Sequence, residues 1–159
     1  MKYLIDTCVL SEMVKNEPDA KVVKWFESCN VHQLYTSVMT LAELQRGVAR
    51  LPESQRRTEL SLWLQAVEIG FENRMLVFDT RVAKVWAEIT VAAESQDKSL
   101  TAFDSLIAAT AKAHDCLLVT RNVKDFCTIF GLRRFRTPII LWNTNFHDRS
   151  WSRHYWCWC

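Results

Sequence analysis

Apolar residues follow two rhythms along the chain. Short, mostly apolar runs occur at Lys2–Ile5, Leu34–Thr36, Met75–Phe78 and Leu117–Thr120, with a further one at Pro138–Leu141. Between them, apolar residues recur at helical spacing over about 9–15, 19–28, 38–50, 54–69, 80–96 and 102–114. Continuous apolar strands alternating with helices predict a parallel sheet covered on both faces. The expected class is therefore α/β, with a central parallel sheet of four to five strands in an α/β/α sandwich. Three helix starts are marked by capping residues: Ser37, Ser54 after Pro52-Glu53, and Thr101 paired with Asp104.

The chain has 159 residues, enough for one domain with a real core. Its composition, 49% hydrophobic and 24% charged with three Gly and three Pro, excludes disordered and fibrous classes. Twenty basic against eighteen acidic side chains leave only +2, which announces no polyanion partner. The distribution is more telling: beyond residue 120 there are seven basic and two acidic side chains. Arg121, Lys124, Arg133, Arg134 and Arg136 form a basic stretch that either attracts a polyanion or is a solvated end. No apolar run reaches the length of a membrane span, and Asp6 interrupts the apolar start, unlike an export leader. A cytoplasmic protein is expected, so its six cysteines imply no disulfide framework.

From about residue 144 the pattern lapses. The tail ending "RSWSRHYWCWC" has no period, and His147, His154, Cys157 and Cys159 match no common zinc spacing. The expected organisation is a domain over 1–143 and an appended tail over 144–159, outside the core.

The chemistry lies in the carboxylates. Asp6 ends the first apolar run, and an ionised carboxylate removed from water is costly unless paired. In parallel α/β sheets the functional crevice lies beyond the carboxyl ends of the strands, where Asp6 and Asn122 both fall. Asp79 is a third candidate by position, although "DTRV" also reads as an N-cap. On the helix 38–50, Glu43 falls opposite the apolar side, with Met39, Arg46 and Arg50. Periodicity alone does not separate a solvated glutamate from one lining a cleft. Asp104 opens a helix that is apolar nearly all round, with only Ala108 and Ala111 on its own face. Converging, Asp6, Glu43 and Asp104 would repel one another, and a hard divalent cation such as Mg²⁺ or Mn²⁺ resolves that repulsion.

Four segments in this order, "LIDTCVLSEM", "TSVMTLAELQRGV", "TAFDSLIAATAKAH" and "LLVTRNVKDF", resemble the PIN-domain ribonuclease toxins of the VapC/FitB type, and "TPIILWN" is similar to the family's last strand. The resemblance spans about 1–143. It implies a PIN-like fold and a Mg²⁺- or Mn²⁺-dependent endoribonuclease with Asp6, Glu43 and Asp104 as the metal-holding triad. It also implies a VapB/FitA-like antitoxin partner and a toxin homodimer. Thr7 matches the hydroxyl residue that follows the first acid, and Thr120 stands as a supporting residue at the fourth segment. Two departures stand out: Cys8 replaces a frequent Asn, and Asn122 replaces a frequent fourth acid, with Asp125 nearby as its alternative. Arg121, Lys124, Arg133 and Arg134 are the expected RNA-backbone contacts. The rival reading is a PIN-like module that binds RNA or protein without cutting.

Overall fold

All strand pairings in the sheet are parallel, in the order β3-β2-β1-β4-β5. The computed structural model describes residues 1–122, 125–126 and 139–141, the last three by their backbone course. Lys124, Cys127, Arg133, Arg134, Arg136 and the 144–159 tail therefore lie outside the described residues, as does the proposed boundary at 143. The strands are β1 (Tyr3–Ile5), β2 (Leu34–Ser37), β3 (Met75–Leu76), β4 (Leu117–Thr120) and β5 (Ile139–Leu141). The helices are α1 (Thr7–Leu10), α2 (Ala20–Ser28), α3 (Val38–Ala49), α4 (Gln55–Gly70), α5 (Thr80–Glu94) and α6 (Ala102–Ala113).

Strand alternation divides the core in two. Neighbouring side chains on a strand point to opposite faces. Leu4 and Leu118 accordingly join Val82 and Ile89 of α5 and Ile107 of α6, whereas Ile5 and Val119 join Val9, Val22, Trp25, Leu44 and Leu64. α5 and α6 thus cover one face, and α1 to α4 supply the other. Each fully buried aliphatic side chain among them, such as Leu4, Ile5, Ile107 or Leu118, contributes on the order of 1.5–3 kcal/mol.

The helix starts follow the expected chemistry. Ser37 Oγ accepts from the Thr40 amide at 3.0 Å, and Ser54 Oγ from the Arg57 amide at 3.2 Å. Asp79 is exposed and its Oδ1 accepts from the Val82 amide at 2.9 Å, so it is the cap of α5. Its nearest charged neighbours include His114 at the far end of α6, about 15 Å along that helix from Asp104. Asp79 therefore does not belong to the acidic crevice.

β1 and β4 are adjacent although the chain visits β2 and β3 between them. From β1 the connections run outward in one direction, and β4 and β5 lie on the other side. The carboxyl ends of β1 and β4 therefore flank the switch point of the sheet, the usual place for a crevice in such folds.

Candidate metal centre at the switch point

Asp6 follows β1 directly and keeps to its path: its amide donates to the Val119 carbonyl of β4 at 3.0 Å. Its carboxylate is only 3% exposed. Oδ1 accepts from the Thr7 amide at 2.7 Å, and Oδ2 accepts from Thr120 Oγ1 at 2.6 Å and Cys8 Sγ at 3.0 Å. Burial nevertheless pushes the Asp6 carboxyl above its ordinary range, and the charge of Asp104 adds to the rise.

Asp104 is buried in the first turn of α6. Its amide donates to Thr101 Oγ1 at 3.2 Å, while its carboxylate accepts from the same hydroxyl. The expected reciprocal cap is thus half present: the acid turns to the Thr101 side chain. Burial raises the Asp104 pKa, reinforced by the charges of Asp125 and Glu43. Glu43 Oε2 accepts from Thr7 Oγ1 at 2.5 Å, which ties α3 to the start of α1. On α3, Leu44 packs into one half of the core and Met39 against the other; Glu43 is half-buried and its charge reaches Asp104 of α6, whereas Arg46 and Arg50 are exposed.

Asn122 Nδ2 donates to Asp125 Oδ2 at 2.9 Å, and the Asn122 side chain also tends to lower the Asp104 pKa. Asn122 is thus tied to a neighbouring acid. Its own amide donates to Thr120 Oγ1 at 3.0 Å.

Two side chains were not anticipated in these roles. Cys8, which replaces a frequent Asn, leaves no gap: its thiol serves Asp6 and accepts from the Arg121 amide at 3.0 Å. Burial, with the Asp6 charge beside it, pushes this thiol up to about 12, so it stays protonated and donates. Glu12, 2% exposed, holds Arg121 and Lys15 in ion pairs and accepts from the Asp19 amide at 3.1 Å. Arg121 Nη2 also lies 3.7 Å from Asp19. Its charge is engaged inside the chain by these two acids. The signal for Glu12 was present in "VLSEM", an acid inside an apolar stretch like Asp6.

The donor set is all oxygen, as a hard cation requires. Asp104 stands within electrostatic reach of Asp6, Glu43 and Asp125. Among the described residues no three acidic, His or Cys side chains close to ligand distance around one point. The arrangement suits Mg²⁺, which binds through one or two carboxylates and retains several waters. An added charge beside this crevice should strengthen cation binding. Asn122→Asp is expected to bind Mn²⁺ roughly tenfold tighter by calorimetry and to melt lower without metal, because it removes a donor and adds repulsion. An unchanged titration, with Asp125→Asn damaging activity instead, would give the role to Asp125.

A family model described as PIN domain matches residues 3–129. The chain is 38% identical to Toxin FitB of Neisseria gonorrhoeae over 77% of its own length and 89% of that protein. It is 35% identical to VapC ribonuclease Y4jK of Sinorhizobium fredii over the same shares. Among solved structures, FitAcB from Neisseria gonorrhoeae superposes with a TM-score of 0.73 at 37% identity, over 80% of this chain and 92% of that one.

Proposed function

The chain belongs to the PIN-domain family, and from that premise we propose that it is a divalent-metal-dependent endoribonuclease, the toxin of a toxin–antitoxin pair. The observation that carries this reading is the pair Asp6 and Asp104, both buried at the switch point, Asp6 raised by burial and the Asp104 charge, and Asp104 by burial and the charges of Asp125 and Glu43. Such a pair is unfavourable on its own and favourable around a cation. The relatives named as ribonuclease and toxin support the activity, and the solved FitAcB structure supports a VapB/FitA-like antitoxin. A homodimer belongs to the same reading. Among the described residues no helix is long and apolar enough to cross a membrane.

A bound Mg²⁺ or Mn²⁺ would supply the positive charge that activates water for in-line attack on a phosphodiester and offsets the charge on the leaving oxygen. Asp6, Glu43 and Asp104 offer the oxygens that hold it. Thr7 fixes Glu43, Thr120 and Cys8 fix Asp6, and Asn122 fixes Asp125. None of the acids needs to act as a covalent nucleophile. Single-stranded or looped RNA is the fitting substrate, since its bases and backbone are accessible.

The test is cleavage of single-stranded RNA with Mg²⁺, with Mn²⁺ and in excess chelator. Cleavage in either metal and none in chelator is expected. RNA that is bound but uncut in both metals would establish the binding-module reading instead. In cells, induction of the wild type is expected to arrest growth and Asp6→Asn to permit it, with arrest relieved by co-expressing the antitoxin. Equal growth of both strains would remove the toxin role.

A further inference from the structure

The seam between α3 and α6 continues beyond the acids. One turn after Glu43 on α3 comes Arg46, and immediately before Asp104 on α6 comes Phe103. The Arg46 guanidinium carbon lies 5.9 Å from the centre of the Phe103 ring, within reach of a cation–π contact. Arg46 is exposed and Phe103 half-buried. Among the described residues Arg46 takes part in no salt bridge, whereas Arg121 is held by Glu12 and Asp19.

A crevice lined by carboxylates repels the phosphates it must receive, so a substrate needs a cation at the lip. Arg46 is a planar cation braced by a ring, and a braced guanidinium loses less freedom when it grips a phosphate. Resting on the ribonuclease reading, we propose that Arg46 is a substrate-binding residue that takes a backbone phosphate of RNA flanking the scissile bond, with Phe103 as its positioning residue. The acids and this cation then share one helix seam, with opposite charges one turn apart.

The experiment measures KM and kcat on a short fluorescein-labelled single-stranded RNA of mixed sequence over a range of salt. Binding of the same RNA is followed by anisotropy without divalent metal. Arg46→Gln is expected to raise KM about 5–10-fold with kcat kept, and to reduce the slope of log affinity against log salt by about 0.7, the value of one phosphate contact on a single strand. Arg46→Lys keeps the charge and should regain the slope, whereas Phe103→Leu should keep the slope with an intermediate KM. Unchanged KM and slope in Arg46→Gln would overturn the proposal, as would a lower melting temperature alone, which marks a mere tie between α3 and α6. A wild type that binds the RNA without cutting it would end the ribonuclease reading. The anisotropy arm would then decide on Arg46: 5–10-fold weaker binding supports it, and equal binding overturns it. RNA that the wild type does not bind at all would overturn both.

Discussion

Asp6→Asn is expected to lower metal-dependent RNA cleavage by more than about 100-fold, since removing even a residue that only supports a ligand costs roughly 10–100-fold. The same substitution should leave the metal-free fold as stable as before, or more so. The Asp6 carboxyl titrates above its ordinary 3.8 because it is buried and, to a smaller extent, because Asp104 faces it. Its folded pKa is raised, so the folded chain holds a proton that the unfolded chain has already released. Stability from this group is therefore full below about 3.8 and is lost as pH rises through the folded value. Asp104 acts in the same direction. Without metal, melting temperature is expected to fall as pH rises from about 3.8 through the raised folded values, less steeply in Asp6→Asn; saturating Mn²⁺ should remove the fall. The amide can still accept from Thr7, and the Thr120 hydroxyl can turn to accept from it. Activity retained in Asp6→Asn, or an equal pH slope in both proteins, would contradict this account of the site.

The second large effect is on stability. Glu12→Gln should lower stability by about 2 kcal/mol, below the roughly 3–5 kcal/mol seen when one partner of a fully buried pair is removed. The discount is physical: Glu12 is covered, but its cations Arg121 and Lys15 are 25% and 53% exposed and recover water. Melting temperature should fall by about 4–8 °C for a chain of this size. Burial tends to raise the Glu12 pKa, but its hydrogen bonds from Lys15 and the Asp19 amide and the charge of Arg121 outweigh this and hold it below the ordinary 4.5. Its contribution is thus present above about 4.5 and lost as pH falls through the lower folded value. The exposed pair Arg56–Glu59, at 3.7 Å, is the control: Glu59→Gln should change stability by less than about 1 kcal/mol. Equal effects at the two positions would show that Glu12 holds nothing. Because Arg121 lies between Thr120 and Asn122, this clamp also fixes the strand exit that carries two site residues.

The sheet and its helices were legible because their signals are local. β4 occupies Leu117–Thr120 as its apolar run predicts, and Ser37, Ser54, Asp79 and Thr101 cap helices where capping chemistry placed them. β3 stops at Leu76, because it is an edge strand and Val77 and Phe78 already stand exposed. The short 3-10 turns Val31–Gln33 and Glu72–Arg74 left no periodic trace in so few residues. Asp6 and Asp104 were legible as acids in apolar surroundings. The orientation of Glu43 was not: a helical wheel reports which side of α3 is polar, and only the arrival of α6 sets Glu43 within electrostatic reach of Asp104. The engagement of Arg121 was hidden for the same reason, since its partner Glu12 is 109 positions away in sequence. Charge counting found a basic stretch, but not which of its cations is already paired.

The central claim is that Asp6, Glu43 and Asp104 together hold a divalent cation. Anomalous scattering from crystals of the full chain grown with Mn²⁺ tests it most directly. A manganese peak is expected between α3, α6 and the end of β1, in contact with Asp6 and Asp104 directly or through water, and absent in Asp104→Asn. Manganese bound only elsewhere, or no peak under conditions where the same protein cleaves RNA, would contradict it.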